Sequence, residues 1–320
     1  MSQHILVTGA AGFIGSHLCE HLLTQGYQVT GIDNFDPFYA RDKKEANLAG
    51  LRLQPLFHFI DGDAGDESIL NKITSRPDAV IHLAAKAGVQ PSLQAPAEYI
   101  TGNILLTNNL LEWMRKQGIR KFLFASSSSV YGNTAVVPFN EDQEVNTPFS
   151  PYAFTKRSCE LMNYTYHTLY AFDIINMRFF TVFGERQRPD LAIHKFVKKI
   201  SAGEPIQLYG KGDTSRDYTY WKDTVSGVTE ALSYLLANSK IFESVNLGNS
   251  KPVTLLQLVT EIGNAMNTEP QLIFEEKKPG DVDITYASIE KAKKLLGYDP
   301  QTSIAEGIGN FVKWFRAQPL

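Results

Sequence analysis

Residues 4–15 read His-Ile-Leu-Val-Thr-Gly-Ala-Ala-Gly-Phe-Ile-Gly, and this stretch decides the fold. Its apolar first half, His4–Thr8, predicts a buried strand, and the residues after Gly12 follow the period of a helix. The glycines allow a tight turn, and they let N–H groups at the start of the helix face an anion such as a pyrophosphate. Close packing of a helix on a strand also uses glycine, and that alternative stays open. The candidate cofactor residues of this stretch are Gly9, Gly12, Phe13, Ile14 and Gly15.

Short apolar runs continue to alternate with helical segments along the first half of the chain. Runs that are apolar throughout, rather than at every second residue, predict a parallel sheet covered by helices on both faces. We therefore expect an α/β fold with a doubly wound (Rossmann) parallel sheet, followed by a smaller mixed α/β substrate-binding domain. The predicted strands after the first are Gln28–Ile32, Leu56–Ile60, Ala79–Leu83 and Lys121–Ala125.

The rhythm of the elements loosens after Asp173–Arg178, where proline, glycine and charged residues become more frequent. We expect residues 1–178 to form the domain that binds the cofactor and carries the catalytic residues. Residues 179–320 are expected to form mainly the substrate domain, with segments near 217–247 returning to the first domain.

Composition limits the classes of protein to which the chain can belong. Of its 320 residues 43% are hydrophobic, and 31 basic against 34 acidic side chains give a formal net charge of −3. Disorder is excluded, and no overall charge draws the chain to nucleic acid or to a membrane. Two cysteines are too few for a disulfide framework, so we expect a cytoplasmic protein. His17 and His21 lack a third ligand, so we expect no metal.

The second predicted strand ends in an acidic residue, Asp33, 24 residues after Gly9. A carboxylate here can accept hydrogen bonds from the adenosine ribose, and it would repel the 2′-phosphate of NADP. No arginine follows directly, so the sequence favours NAD. The further candidates beside the adenosine are Asn34, Asp63 and Ala64, and Asp63 is alternatively part of a solvated loop.

Tyr152 and Lys156 lie four residues apart on one face of a predicted helix. An ammonium beside a phenol lowers the phenol's pKa towards neutrality, which makes the phenolate a base for a hydroxyl group. Tyr39 and Lys43 have the same spacing, but they follow the strand expected to bind adenosine. Tyr152 instead lies downstream of a buried strand and the serine run Ser126–Ser129, where open α/β sheets carry their chemistry.

Several motifs in a fixed order resemble the extended short-chain dehydrogenase/reductase family. Besides the glycine turn, Asp33 and the Tyr152/Lys156 pair, they are Ser126–Ser129 with Val130-Tyr131-Gly132, Ser215-Arg216-Asp217-Tyr218 and Pro279-Gly280-Asp281. Within that family the chain resembles the nucleotide-sugar 4-epimerases over essentially its whole length.

The resemblance implies tightly bound NAD+ with Tyr152 as the base, Lys156 orienting the nicotinamide ribose and Ser127 hydrogen-bonding the reacting hydroxyl. It also implies a homodimer formed by two long helices, which we expect near 97–117 and 151–170. Ser129 is a fourth catalytic candidate. The resemblance further implies that the following residues lie along the cofactor: Leu83, Ala84, Ala85, Lys86 and Asn103.

The residues that this site lacks indicate the reaction. Sugar dehydratases of the family have an Asp-Glu pair, and decarboxylases a glutamate, where Ser128 and Ser129 stand here. Because serine does not donate a proton readily at neutral pH, epimerisation is favoured over either reaction. The implied cycle removes the O4 proton and the C4 hydride, rotates the 4-keto sugar and returns the hydride to the other face, which regenerates NAD+. A non-catalytic NAD-binding regulator is the alternative from another class.

For the sugar, Thr181 and Arg188-Pro189-Asp190 resemble the UDP-glucuronate 4-epimerases, which convert UDP-glucuronate to UDP-galacturonate. Arginine can bind a carboxylate through two parallel hydrogen bonds, so Arg188 is the candidate. A loop in which Arg188 pairs with Asp190 is the alternative, and UDP-glucose and UDP-N-acetylglucosamine stay open as substrates. The candidate substrate residues are Ser127, Ser128, Thr181, Arg188, Gln207, Tyr209, Arg216 (diphosphate), Asp281 and Thr285.

Overall fold

A computed structural model describes residues 2–134, 136–276 and 284–318. The strands are β1 (His4–Thr8), β2 (Gln28–Asp33), β3 (Phe57–Asp61), β4 (Ala79–His82), β5 (Lys121–Ser127), β6 (Asp173–Phe179), β7 (Thr181–Phe183), β8 (Ile206–Tyr209), β9 (Ser215–Tyr220), β10 (Phe242–Leu247), β11 (Pro252–Thr254), β12 (Leu272–Glu275) and β13 (Ile284–Thr285). The α-helices are α1 (Phe13–Thr24), α2 (Arg41–Ala49), α3 (Glu67–Leu70), α4 (Val89–Gln94), α5 (Pro96–Tyr99), α6 (Leu106–Gln117), α7 (Pro151–Tyr170), α8 (Ala192–Ser201), α9 (Trp221–Ala237), α10 (Leu255–Met266), α11 (Glu290–Leu296) and α12 (Ile304–Arg316).

Seven strands form one sheet in the order β10-β6-β5-β4-β1-β2-β3. The pairs β1/β2, β1/β4, β2/β3 and β4/β5 are all parallel. Strand order reverses between β1 and β4, and in such sheets ligands bind at the carboxyl ends beside this reversal. The prediction of a doubly wound parallel sheet is therefore confirmed. Thr8, the last residue of β1, pairs with Ile32 on one side and His82 on the other.

The helix predicted over 97–117 is present, but a π-helical turn interrupts its regular geometry. It consists of α5, a π-helical turn at Ile100–Leu105 and then α6, which ends at Gly118 in the left-handed conformation. A π turn inserts one residue and often accompanies a functional position. Apolar periodicity continues across the insertion, so the sequence pattern did not reveal it. The second long helix, α7, is capped by Ser150, whose side chain accepts from the N–H of Ala153.

The chain divides into two compact units. The first comprises Met1–Gly132, Asp142–Arg178 and Val225–Val245, and the second comprises Asn133–Glu141, Phe179–Thr224 and Asn246–Leu320. The assignment of cofactor binding to residues 1–178 and sugar binding to 179–320 stays a prediction.

Each unit has an apolar core of its own. The core of the first lies between the sheet and its helices and includes Leu6, Val80 and Phe122. In the second unit β9 is the central strand, because β11, β13 and β7 all pair with it, while β8 pairs with β12. Phe183, Ile262 and Phe311 are among the buried residues there. Within the described ranges no helix is both long and apolar enough to cross a membrane.

Candidate active site

The glycine turn brings three backbone segments into close contact. A Cβ at Gly9, whose φ is +74°, would lie 2.9 Å from the amide nitrogen of Ala84. A Cβ at Gly15 would lie 2.1 Å from the carbonyl oxygen of Gly9, and Gly12 N–H donates to that same oxygen. Close packing therefore requires glycine at 9 and 15.

The same turn also suits an anion. Helix α1 begins at the buried Phe13 and the half-buried Ile14, its cap Gly12 has no side chain, and its first turn contains no acidic residue. The first N–H groups of a helix lack partners inside the helix, and they carry a partial positive charge. This helix start therefore fits the pyrophosphate of a dinucleotide, and the packing role does not compete with that use.

Asp33 is buried at the end of β2 and is held by the backbone. Its Oδ2 accepts from Ala11 N–H at 3.1 Å, and its Oδ1 accepts from Phe35 N–H at 2.8 Å. Lys44 Nζ lies 3.5 Å from Oδ1. A carboxylate has about four acceptor positions, so capacity remains for a ribose hydroxyl. The residue thus fits the adenosine side of NAD.

Lys44 is a residue that the sequence interpretation missed. That interpretation considered only the positions directly after Asp33, whereas Lys44 reaches the carboxylate from α2 and is itself buried. Its ammonium also lies 5.0 Å from the centre of the Tyr39 ring. The Tyr39/Lys43 spacing pointed to this region of the sequence. In the structure the lysine beside the Tyr39 ring is Lys44 rather than Lys43.

The other predicted adenosine residues lie together. Asn34 donates from Nδ2 to Asp63 Oδ2 at 3.0 Å, and Asp63 Oδ1 accepts from Gly65 N–H at 2.7 Å. Ala64 between them is buried. Asp63 is exposed, so its role at the adenosine stays a prediction.

The loop after β4 lies against the end of β1. Leu83 N–H donates to the carbonyl of Thr8 and Ala84 N–H donates to the hydroxyl of Thr8, each at 3.2 Å. Ala84 is also the residue that approaches Gly9, and Ala85 follows, half-buried. The predicted cofactor residues of this loop are therefore next to the glycine turn.

Asn103 connects this loop to α7. Its Oδ1 accepts from Lys86 N–H at 2.7 Å, and its Nδ2 donates to the Lys86 carbonyl at 3.0 Å and to Thr155 Oγ1 at 2.9 Å. The Lys86 ammonium is bound to Asp36 and Glu98. Asn103 lies inside the π-helical turn, so the backbone insertion and the polar contact coincide.

The catalytic candidates meet where β5 ends beside α7. Lys156 Nζ is buried and donates to the carbonyl of Ala125 at 2.8 Å. Ser127 Oγ donates to Ser129 Oγ at 3.1 Å, and it accepts from the N–H of Ser129 at 3.2 Å. Ser128 begins the short 3-10 turn that follows β5. The serine run is therefore a fixed turn rather than a solvated loop.

Tyr152 is oriented by two residues that the sequence interpretation missed. Its N–H donates to Ser92 Oγ at 3.1 Å, and its ring meets the edge of Tyr99, with the ring centres 6.2 Å apart. Both partners are buried and come from α4 and α5. No local motif marks them, because they lie more than 50 positions from Tyr152 in the sequence.

Burial controls the charge of the lysine. Loss of hydration lowers the pKa of Lys156 to about 8, against the opposing influence of Cys159 and Glu160. An ammonium that titrates so close to neutral pH, four residues from the phenol on one helical face, can assist ionisation of Tyr152.

His82 provides a test of the buried environment next to this site. Burial lowers its pKa to about 3, and its ring nitrogens bond to Thr8 and Thr107. The unfolded chain therefore binds the proton first, so the free energy of unfolding falls as pH drops below about 6.5. We expect His82 to lower the free energy of unfolding by roughly 2 kcal/mol between pH 6.5 and pH 5. Urea unfolding at a series of pH values measures this, and the unfolding free energy of His82→Gln should fall less steeply with decreasing pH than that of wild type.

The exposed His58 on β3 offers a matched control. His58→Gln should retain the wild-type decline of the unfolding free energy over the same pH range. If His82→Gln declines as steeply as wild type, His82 is not the buried neutral group.

In the second unit the structure brings together two predicted substrate residues. Arg216 in β9 is the register partner of Thr285 in β13. Thr181 pairs two positions further along β9, opposite Tyr218. Gln207 in β8 accepts from the ammonium of Lys199.

Three further substrate candidates are Tyr209, Asp281 and Arg188. Tyr209 ends β8, and Asp281 lies outside the described residues. Arg188 pairs with Asp190 through two hydrogen bonds of 3.0 Å, which is the geometry of the alternative interpretation of this loop. Carboxylate binding by Arg188 stays a prediction.

Comparison with known proteins agrees with the resemblance drawn from the motifs. A family model described as "NAD dependent epimerase/dehydratase family" matches residues 5–248. A UDP-glucuronate 4-epimerase from Thermodesulfobacterium geofontis is 41% identical over 314 residues, which cover 97% of this chain and 95% of that protein.

Solved structures give the same result. UDP-glucuronic acid 4-epimerase from Bacillus cereus, in complex with UDP-glucuronic acid and NAD, aligns with a TM-score of 0.92 at 36% identity over 98% of this chain and 99% of that one. A UDP-N-acetylglucosamine 4-epimerase from Methanobrevibacter ruminantium gives 0.90 at 31% identity over 99% of each chain. The resemblance to nucleotide-sugar 4-epimerases is confirmed, and the chain belongs to the NAD dependent epimerase/dehydratase family.

Proposed function

We propose that this protein is an NAD-dependent 4-epimerase that interconverts UDP-glucuronate and UDP-galacturonate. The observation that carries the proposal is the buried ammonium of Lys156, which lies one helical turn after Tyr152 and donates to the carbonyl of Ala125, two residues before Ser127. The similarity to UDP-glucuronate 4-epimerases supports the choice of reaction and sugar.

The chain's own residues supply the proton chemistry. The Lys156 ammonium favours the phenolate of Tyr152, which accepts the proton of the C4 hydroxyl and later returns it. Ser127 orients that hydroxyl through a hydrogen bond, with Ser129 holding the serine in turn. Bound NAD+ would supply a reversible hydride acceptor for C4, so no redox partner would be consumed.

Ser128 and Ser129 support epimerisation over dehydration or decarboxylation. Both onward reactions need an acid that donates a proton, and a serine hydroxyl has too high a pKa for this at neutral pH. The oxygen of Ser129 also accepts a hydrogen bond from Ser127 Oγ.

The cofactor would be held by the residues of the first unit. The start of α1 receives the pyrophosphate, and Asp33, fixed by Lys44, receives the adenosine ribose. The loop after β4 and Asn103 would lie along the rest of the molecule. Tight retention of NAD+ follows if these groups enclose it, and protein purified without added NAD should then contain it.

Turnover by such purified protein tests the function directly. UDP-glucuronate, UDP-glucose and UDP-N-acetylglucosamine are supplied separately without NAD, and the C4 epimers are followed by NMR. Conversion of UDP-glucuronate to UDP-galacturonate is expected. Conversion of UDP-glucose alone would contradict the sugar assignment, and release of carbon dioxide or a stable 4-keto-6-deoxy sugar would contradict epimerisation. NAD retention without any turnover would favour a binding protein.

Arg188 is proposed to bind the C6 carboxylate together with Thr181. Arg188→Ala should raise KM for UDP-glucuronate by about 10- to 100-fold, because a charge-assisted hydrogen bond is worth roughly 1.5–3 kcal/mol. Steady-state kinetics on both sugars measures this, and KM for UDP-glucose should change little. Asp190→Asn removes the carboxylate that pairs with Arg188, so the guanidinium should be more available to bind the substrate. An equal loss on both sugars would contradict the carboxylate role.

A homodimer is proposed through the helices near 97–117 and 151–170. These segments expose large apolar side chains: Ile100, Leu105, Phe154, Leu161, Tyr164 and Leu169. Several large apolar side chains exposed along the same helices are typical of an interface. Leu161→Glu should convert the dimer to a monomer in sedimentation experiments. Leu53→Glu, at a position that is 83% exposed and away from this face, should remain dimeric.

The cytoplasm is the proposed location. Cys19 and Cys159 are both buried and unpaired, as expected in a reducing compartment. In cell fractionation the protein should follow cytoplasmic marker enzymes.

A further inference from the structure

Helix α7 continues its catalytic face one turn beyond Lys156, at Glu160. This carboxylate is buried and its acceptor positions are filled. Oε1 accepts from Ser126 Oγ at 2.6 Å and from Arg178 Nε at 2.9 Å. Oε2 accepts from Arg178 Nη2 at 2.9 Å and from Arg157 Nη1 at 3.1 Å. A buried carboxylate with four such donors is held in one orientation.

Arg178 in β6 fixes this carboxylate from the opposite side. Its two parallel hydrogen bonds to Glu160 leave Nη1 free to donate to Tyr131 OH at 3.0 Å. Tyr131 closes the 3-10 turn that carries the catalytic serines. One guanidinium therefore connects β6, α7 and the serine turn.

Two consecutive residues at the end of β5 are bound to α7. The carbonyl of Ala125 accepts from Lys156, and the hydroxyl of Ser126 donates to Glu160. The next residue, Ser127, is the last of the strand. The position of Ser127 relative to α7 therefore depends on both contacts.

We propose that Glu160, held by Arg178, is a positioning residue that fixes the end of β5 against α7 and so sets the geometry of Ser127, Tyr152 and Lys156. This inference rests on the proposed function for its kinetic test. It assigns a task to a pair that neither contacts the reacting atoms nor belongs to the Tyr152/Lys156 motif.

The negative charge of Glu160 has a second effect on the site. Lys156 faces Cys159 and Glu160 from its own helix, the Phe124 ring from β5 and His82 from β4. If Glu160 is neutralised, the cations facing it, Arg157 from α7 and Arg178 from β6, lose their counter-charge. Both the Tyr152 phenol and the Lys156 ammonium then lose protons at lower pH.

Three variants separate geometry from charge. Glu160→Gln keeps the shape and should lower kcat by about 10- to 100-fold, a range typical of small misplacements in an active site. It should also move both limbs of the pH–rate profile to lower pH by about half a unit or more. Ser126→Ala should lower kcat several-fold without moving the limbs. Arg178→Lys keeps the charge but loses the paired hydrogen bonds, so it should behave like Ser126→Ala.

Asp173→Asn is the matched control. Asp173 forms a partly buried ion pair with Lys121, 3.0 Å apart, at the start of β6 and β5, whereas Arg178 and Ser126 lie near the opposite ends of these two strands. Its loss should lower the melting temperature while kcat and the pH profile stay at wild-type values. If Asp173→Asn lowers kcat as much as Glu160→Gln, or if Ser126→Ala and Glu160→Gln both retain wild-type kcat and limbs, the proposal is overturned.

A measurement without substrate keeps the inference apart from the proposed function. Tyrosinate absorbance is titrated in the purified protein, and the titration of Tyr152→Phe in the same background is subtracted. The Tyr152 phenol should ionise at lower pH in Glu160→Gln than in wild type, and unchanged ionisation would contradict the proposal. Absence of wild-type epimerisation would contradict the proposed function alone.

Discussion

Replacement of Tyr152 by phenylalanine should lower kcat for epimerisation by about 10²- to 10⁴-fold, the usual contribution of a positioned general base. The substitution removes only the phenolic oxygen. The ring contact with Tyr99 and the backbone hydrogen bond to Ser92 need no hydroxyl, so the helix should remain in place. Initial rates followed by NMR give kcat, and absorbance of the released nucleotide gives the NAD content, which should equal that of wild type.

Tyr39→Phe is the control for this experiment, because Tyr39 has the same spacing to a lysine. Its ring beside Lys44 is retained, and turnover should be close to wild type. If Tyr152→Phe retains more than a tenth of the wild-type rate, another group is the base.

Replacement of Gly15 by alanine should have the largest effect on the fold of the first unit. The new Cβ would lie 2.1 Å from the carbonyl oxygen of Gly9, and a backbone atom cannot turn aside as a side chain can. Gly9 is itself held by a 2.8 Å hydrogen bond to the carbonyl of Ile32. We expect a loss of about 3 kcal/mol or more in the free energy of unfolding, the upper range for overpacking, together with loss of NAD. Urea unfolding and the NAD content measure the two effects.

Gly50→Ala is the matched control in the same unit. Gly50 has a φ of −71° and open space where a Cβ would lie. Its replacement should leave stability unchanged or slightly higher, because alanine narrows the unfolded ensemble. If Gly15→Ala is as stable as Gly50→Ala and retains NAD, the glycine turn is not as tightly packed as described.

The fold was predictable because its signals are local. Strand β1, the glycine turn and the start of α1 are adjacent in the sequence, and β1 has the predicted bounds. Helix α7 begins at Pro151, as predicted, because a serine cap followed by proline marks a helix start whatever surrounds it.

The contacts that complete the site were not predictable in the same way. Lys44, Ser92 and Tyr99 reach their partners from other elements, and nothing in their neighbouring residues distinguishes them. Their roles depend on the packing of α2, α4 and α5, which a single sequence does not specify. For Arg188, the two possible partners of the guanidinium are the C6 carboxylate of the sugar and the side chain of Asp190. Both are carboxylates, so the residue types alone do not decide between them.

Asn103 has a consequence for how this protein tolerates change. A single carboxamide satisfies both backbone groups of Lys86 and also reaches Thr155 on α7. Two distant segments of the chain are thereby coupled energetically, and substitutions in them will not contribute independently. The effect of a change in the loop after β4 therefore depends on whether Thr155 has already changed, so the order in which mutations arise decides which sequences remain accessible.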